Sequence, residues 1–437
     1  MENKKINFVK INKSQEFLVS LLSLILFFLF IYGFYTNENS AGSGGYNGDF
    51  NHIWSNLSLL KENILSNLNS SLYSDSRPPL SYLIHILFNP YINQIESFRV
   101  TVFLISFVVP FLLYFSLKEV HGHLGKNLLI LTALIVTLSP YFRTSAYWGL
   151  GENYGFIFLL ASFLQLKKFK KSINFNTNLQ NYSQILFLCL FSSLCIYFDQ
   201  KLIFVPIIIL VEILRQNLSI KFKISSFIYF FIFAIPYLYL IYIWGSLIPS
   251  DASAKRFVTE KINLFNVGYC LTIISFYIAP LIFLKEINLS QFKEKVLNKR
   301  FAYLFGISFL YFSLIFLFND FRNLPDVGQG YVHKLLLILN LNEFISTSLT
   351  ILSFLTSVII LYLYIDEVDD FLLIIYFLVL SLFVWPFYQE YLDPLIFLLV
   401  FSFFKTKIFL NYKRVYFLIL YYSIFLFASN LYYRSIL

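Results

Sequence analysis

The sequence predicts an all-α, polytopic integral membrane protein: one domain over residues 1–437 with about thirteen transmembrane helices. Three observations predict it. Of 437 residues, 58% are hydrophobic and 13% charged, against about 25% charged in a soluble domain. Long apolar runs recur from one end to the other, leaving no room for a sizeable soluble domain. Basic residues fall in short clusters between those runs, as positive-inside anchoring requires. The net charge of +9 is therefore membrane anchoring, and nucleic acid is excluded as a partner. A β-barrel would show short alternating segments instead of these runs.

Taken in order, Lys4, Lys5, Lys10 and Lys13 precede a run from about Phe17 to Tyr35, which sets the N-terminus in the cytoplasm. Residues 36–97 then form a long extracytoplasmic loop. Within it "RPPLSYLIHILFNP" has helical spacing at Leu80, Leu83, Ile84, Leu87 and Phe88 but is too short to span. Counting it as an outer-surface helix turns the basic stretches at 167–171, 215–223, 285–300 and 405–407 inward together. The remaining helices then start near 98, 128, 154, 183, 202, 224, 265, 301, 343, 370, 391 and 414, and the C-terminus lies outside. The basic N-terminal run is long and lacks a clear small-residue cleavage site, so it reads as a retained helix. An Asn-, Lys-, Phe- and Tyr-rich composition, with 54 Phe and 32 Tyr, follows AT-rich codons and carries no functional inference. Cys189, Cys195 and Cys270 lie in apolar segments, with neither a disulfide framework nor zinc-ligand spacing.

This topology gathers the polar stretches on one face: 36–97, "RTSAYWGLGEN" (143–153), "DQK" (199–201), 250–263, 319–334 and "QEYLDP" (389–394). The first loop is the richest. "GGYNGDFNHIWSNLSLLKENI" (44–64) starts polar and continues as an amphipathic helix with Ile53, Leu57, Leu60, Ile64 and Leu68 on one stripe, suited to the membrane interface. Asp49 opens that helix and His52 follows three residues on, so the two share a face. "RPP" then turns the chain into a second interfacial helix. The simplest role for Asp49 is a helix cap, for His52 a structural hydrogen bond, and for Arg77 a lipid phosphate contact. Arg143 and Glu152 flank "TSAYWGLG", where a mutual ion pair is the plain alternative to binding. Asp199 and Lys201 occupy a short turn between apolar helices.

An acidic residue in the first outer loop, a Pro-rich turn with a basic residue and many following helices resemble the GT-C glycosyltransferases. "YNGDFNHI" (46–53), "SDSRPPLSYL" (74–83), "FRVTVFLISFVVPFLLY" (98–114), "YFDQKL" (197–202) and "YQEYLDP" (388–394) are similar, in order, to motifs of the dolichyl-phosphate-glucose-dependent α-1,2-glucosyltransferases. That family adds the last glucose of the lipid-linked N-glycan precursor. Where the family has an Asp-Glu pair this chain has Gly48-Asp49. Asp199 replaces an arginine, and Glu390 replaces another.

The resemblance implies a GT-C-like fold and a hexose, glucose in the resembled family, carried on a polyprenyl phosphate. The acceptor would be a hydroxyl of a lipid-linked or surface glycan, and Asp49 the general base. His52 and Glu152 would be secondary polar ligands, Glu152 falling where the family places an acidic residue. Arg77, Lys201, Arg322 and His333 would form the pool holding the phosphate, with Arg256 and Lys334 as further basic positions on outer loops. Arg143 and Glu390 complete the substrate-binding set, Glu390 together with Asp393 orienting the acceptor or a phosphate-bound metal. No cofactor is expected, with a divalent metal left open. Besides donor and acceptor, membrane lipids are the partners. A multi-pass protein of a bacterial inner membrane comes ahead of one in the endoplasmic reticulum. A polysaccharide polymerase or ligase, using Arg and His of the 319–342 loop, is the main alternative. A lipid-linked-sugar flippase or transporter comes third, because no two-fold internal repeat is visible and the charges sit at helix ends.

Overall fold

The computed structural model describes residues 13–41, 45, 48–172, 178–249, 262–282, 289–318 and 328–434. These residues are helical almost throughout, with no strand among them. Among the described residues, seven helices are long and apolar enough to cross a membrane, including Lys13–Tyr35, Ile220–Trp244, Glu343–Tyr364 and Tyr412–Tyr433. The chain is a multi-pass membrane protein by this measure. An eighth crossing is available if Lys126–Leu138 and Pro140–Trp148, bent by 74°, act as one broken span. Other segments with expected crossings are helical but differ in kind. Glu152–Ser172 ends in a basic cluster. Leu395–Ser402 has only eight residues, all buried, and at about 1.5 Å per residue cannot cross alone.

The 74° bend has a local cause. Ser139 leaves helical geometry, and its hydroxyl accepts the Phe142 N–H at 3.0 Å while Pro140 takes the first helical position. Such a Ser-Pro start is a strong N-terminal signal, so a new helix begins in a new direction. It ends at Gly149, whose φ of +78° is left-handed. A side chain there would also meet the Phe98 ring at 2.8 Å.

The first loop folds as the hydrophobic spacing suggests. Helix Asp49–Glu62 runs to Asn63, whose extended backbone stops it and whose side chain caps Ile64–Leu68 by accepting the Ser66 N–H at 3.2 Å. One expectation changes here. The stripe of Phe50, Ile53, Leu57 and Leu60 is buried within the protein, with helix Leu80–Phe88 packed against this element. It therefore seats the loop on the helical body instead of in lipid. Exposed Leu65 and Leu72 remain for the membrane. Leu80–Phe88 is nine residues long, too short to span as expected. Its buried His85 meets the Tyr154 hydroxyl at 2.6 Å.

The described ion pairs separate into two groups. One joins Lys170 to Glu212, Lys405 to Glu212, Arg215 to Asp369, Lys171 to Glu119 and Lys295 to Asp366. The other joins Arg77 to Glu152, Lys201 to Asp199, Arg143 to Glu38 and Arg99 to Glu96. Every pair links segments that the charge rule places on the same face.

Candidate functional site

The second group of charges is organised around the start of the first-loop helix. Gly48 stands at the cap position and makes no side-chain cap bond, so Asp49 is the first helical residue. The cap role expected of Asp49 is not the one it takes. Its charge instead meets Glu390, Tyr141 and Tyr388. Glu390 comes from a single 3-10 turn, Gln389–Tyr391, whose Gln389 side chain donates to the Tyr277 hydroxyl at 3.2 Å. Tyr141, one residue past the Ser139-Pro140 bend, donates its hydroxyl to Glu390. Its backbone N–H donates to Asp393 at 3.2 Å. The bend thus delivers Tyr141 to both carboxyls.

Burial pushes the Glu390 carboxyl up to about 7, helped by the charges of Asp49 and Glu152 and opposed by the Tyr141 hydroxyl and Arg77. Burial likewise pushes Asp393 up to about 6. Two carboxyls with raised affinity for protons therefore meet at Tyr141, and one of them, Glu390, feels the charge of Asp49, a combination frequent at functional sites.

Arg77 and Glu152 form the adjoining wall. Glu152 is the first residue of its helix and almost fully buried. One of its oxygens pairs with Arg77, and the other accepts no hydrogen bond from another of the described residues. Arg77 is held from its own side: its N–H donates to Asp75 Oδ1 at 3.0 Å, and its carbonyl accepts the Tyr73 hydroxyl at 2.9 Å. Asp75 in turn accepts from Tyr82. Burial pulls the Arg77 guanidinium down, but Glu152, Asp75, Tyr141 and Asp199 more than offset it and hold the charge in place. Asp199 opens the 3-10 turn Gln200–Ile203 by accepting the Lys201 N–H at 3.1 Å, and its carboxylate pairs with Lys201 at 2.8 Å. Gln200 donates to the Ser76 carbonyl at 2.7 Å, tying this turn to the Pro-rich turn.

A cavity of about 270 Å³ opens beside Glu390, its polar end made by Tyr141, Tyr388, Glu390, Asp393 and Lys334. Lys334 lies against the Tyr433 and Tyr432 rings, 4.5 and 5.1 Å from their centroids, and bonds the Tyr433 hydroxyl. Burial lowers it to about 8, against the pull of Glu390.

Of the residues read from sequence, the structure brings Asp49, Arg77, Glu152, Lys201 and Glu390 together. His52 is exposed on the same helix as Asp49, 3.4 Å from both Asn56 Nδ2 and Ser74 Oγ. Arg143 is not in this group. Its three nitrogens are spent on Glu38 (Nε–Oε1 2.8 Å), the Thr137 carbonyl and the Leu29 carbonyl. It braces the bent helix pair to the end of Lys13–Tyr35 instead of facing Glu152. His333 is buried with its ring 6.0 Å from that of Tyr269, turned into helix packing. Arg322 and Arg256 lie outside the described residues. Among the described residues, no group of three His, Cys, Asp or Glu is arranged to hold a metal ion. The three cysteines are free and buried.

Sequence reasoning missed Tyr141, Tyr388, Tyr391, Asp75 and Glu38. The tyrosines were hidden in an aromatic-rich background. Asp75 could have been found from "SDSRPP", where an Asp two residues before an Arg forms a local turn. Glu38 stands alone just past the first helix, and an isolated acid at that point is a signal for a buried partner.

Against known proteins, the chain matches no family model, no curated sequence and no solved structure. Fold and site together define a multi-pass membrane protein with a buried cluster of acids, bases and tyrosines at one end of its helices.

Proposed function

We propose that the chain is a membrane glycosyltransferase of the GT-C type. It moves a hexose from a polyprenyl-phosphate donor to a hydroxyl of a lipid-linked or surface glycan. The observation that carries the reading is the meeting of Asp49 with Glu390 beside the Arg77–Glu152 and Lys201–Asp199 pairs, next to a cavity. In this reading the chain crosses the bilayer about thirteen times. The cluster lies on the extracytoplasmic face, and the network around Glu212 and Asp369 lies on the cytoplasmic one.

The chemistry asks for these parts. An acceptor hydroxyl is a weak nucleophile, so a carboxylate takes its proton as its oxygen bonds to the anomeric carbon. Asp49 does this from the first turn of a helix, where the helix dipole favours the anionic form. The bond from that carbon to the phosphate oxygen breaks with its electron pair, the lipid phosphate leaves, and configuration inverts. Glu390, carrying a proton near neutrality, and the unsatisfied oxygen of Glu152 are placed to hold sugar hydroxyls. Nearby cations stabilise the charge that develops on the phosphate.

Purified protein given synthetic polyprenyl-phosphate hexoses tests this. Wild type releases polyprenyl phosphate, and Asp49→Asn, still folded, loses turnover by about 10²–10⁴-fold, the usual weight of a general base. Unchanged turnover in Asp49→Asn, or no release from any donor across varied acceptors, overturns the reading.

A further inference from the structure

The sequence pool for a phosphate ligand starts with Arg77, Lys201, Arg322 and His333, but the geometry reorders it. Arg77 and Lys201 are each committed to a carboxylate, Glu152 and Asp199. His333 faces Tyr269. Its neighbour Lys334 is rotated about 100° around the helix and lines the cavity. Among the described residues Lys334 makes no ion pair; its partners are a hydroxyl and two aromatic rings. Glu390 acts on it across the cavity but is itself pushed by burial toward its neutral form, so the largely enclosed ammonium is poorly compensated, and an anion entering the cavity would relieve that.

The cavity is also amphipathic. It lies between helix Gly330–Leu339, which contributes Tyr331, Lys334, Leu335 and Ile338, and helix Tyr412–Tyr433, which contributes Phe425, Ala428, Ser429, Tyr432 and Tyr433. Both sets follow 3-or-4 spacing, so one face of each helix lines the space. Its polar end meets Glu390 and Asp393, both pushed by burial toward their neutral forms. They therefore repel an anion less than two fixed charges would. The other end is apolar, and Leu335 and Ile338 are 52% and 43% exposed on a membrane protein, where exposed aliphatic surface faces lipid. At about 270 Å³ the space falls just below the usual range of small-molecule pockets, ~300–1,000 Å³. It would hold a phosphate and the first few carbons of a chain, and the rest must leave through the gap toward the bilayer.

We propose that the groove between Gly330–Leu339 and Tyr412–Tyr433 seats a single-chain lipid monophosphate. The phosphate sits on Lys334 and the chain runs out over Leu335, Ile338, Phe425 and Ala428. This rests on the transferase reading for its purpose and deepens it by placing the lipid end of the donor.

The test uses the full-length protein in detergent with a benzophenone-bearing farnesyl phosphate. Farnesol and inorganic phosphate are the comparison probes. Photolabel should map to the peptides bearing Leu335–Ile338 and Phe425–Ala428, and farnesyl phosphate should protect against it. Lys334→Gln should weaken that protection about tenfold or more, as loss of a charge-assisted contact does, while Lys334→Arg keeps most of it. Ala428→Trp should fill the groove and abolish labelling. Melting of each variant without ligand shows that it is folded, and the Arg variant keeps the test decisive if the Gln variant is not.

Labelling confined to other helices, or protection unchanged in Lys334→Gln, overturns the proposal. So does protection by farnesol equal to that by farnesyl phosphate, or by inorganic phosphate alone. Parallel turnover separates the two claims. Ala428→Trp that keeps full turnover removes the groove and leaves the transferase standing. Groove labelling with no release from any polyprenyl-phosphate hexose removes the transferase and leaves the groove.

Discussion

Replacing Glu390 by Gln should stabilise the protein at alkaline pH, and the reason lies in the sign of its titration. Burial and the Asp49 charge raise the folded-state pKa of Glu390 from 4.5 to about 7. The folded protein therefore binds a proton more tightly than the unfolded chain. Stability from this group is greatest below pH 4.5, declines as pH rises toward 7 and levels off above. At about 1.36 kcal/mol for each pH unit, the gap amounts to about 3 kcal/mol lost by pH 8. Glutamine is neutral at every pH and still accepts the Tyr141 hydroxyl, so the variant escapes the loss. Other groups titrate on either side. Asp393, raised by burial to about 6, adds a similar decline between 3.8 and 6. His85, lowered by burial to about 4, adds an opposite gain between 4 and 6.5, and Lys334, lowered by burial to about 8, adds a gain that sets in as pH nears 8; both are common to wild type and variant, so the difference between the two isolates Glu390. The informative window is therefore pH 6.5 to 8. Thermal melts in detergent should show the advantage of Glu390→Gln over wild type widening across the lower part of that window, with the variant melting several degrees higher at pH 8. A variant that melts lower than wild type at pH 8, or that keeps the wild-type slope, refutes the reasoning.

Other outcomes follow from the same contacts. Arg77→Ala leaves Glu152 buried without its counter-ion and should destabilise by about 3–5 kcal/mol; adding Glu152→Gln should recover part of this, read as melting temperature. Arg143→Met should destabilise by a similar amount with Glu38 intact, and Arg143→Met with Glu38→Gln should lose less, which a double-mutant cycle of melts would show. His85→Gln should lessen the loss of stability as pH falls from 6.5 to 4, because a His whose folded pKa is depressed stabilises above 6.5 and less below; a pH series of melts against wild type checks it. Gly268→Ala should cost about 1–3 kcal/mol, since its methyl would collide with the Phe354 ring, measured against Gly306→Ala, which has open space around it.

Much of the fold was legible because lipid writes a coarse code. Apolar runs gave the long helices, and basic clusters gave a sidedness with which every described ion pair agrees. The stop at Asn63, by contrast, depends on one side chain choosing to cap the next helix, and "KENIL" carries no strong breaker. The burial of Ile53, Leu57 and Leu60 was equally hidden, since an amphipathic stripe reads the same whether it rests on lipid or on protein. For the site, the first-loop acid and the turn arginine stood out against apolar surroundings. What could not be read was pairing. Arg143 and Glu152 are nine residues apart and look like partners, yet Arg143 meets Glu38 across 105 positions and Glu152 meets Arg77 across 75. Likewise adjacent His333 and Lys334 are equivalent in sequence, and only the helix's rotation sends one into packing and the other into the cavity.

The separation between Asp49 and Glu390 along the chain bears on how the protein is made. About 340 residues of largely apolar chain must leave the ribosome after Asp49 before its carboxyl neighbour exists, roughly half a minute at ~5–20 residues per second. Until then the first loop is held out of the bilayer by its own packing on early helices, with Arg77 already able to find Glu152. The charge cluster is thus completed late, by segments that also line the cavity. A prematurely terminated chain lacking residues 389–394 would keep the Arg77–Glu152 pair but have no Glu390 beside Asp49.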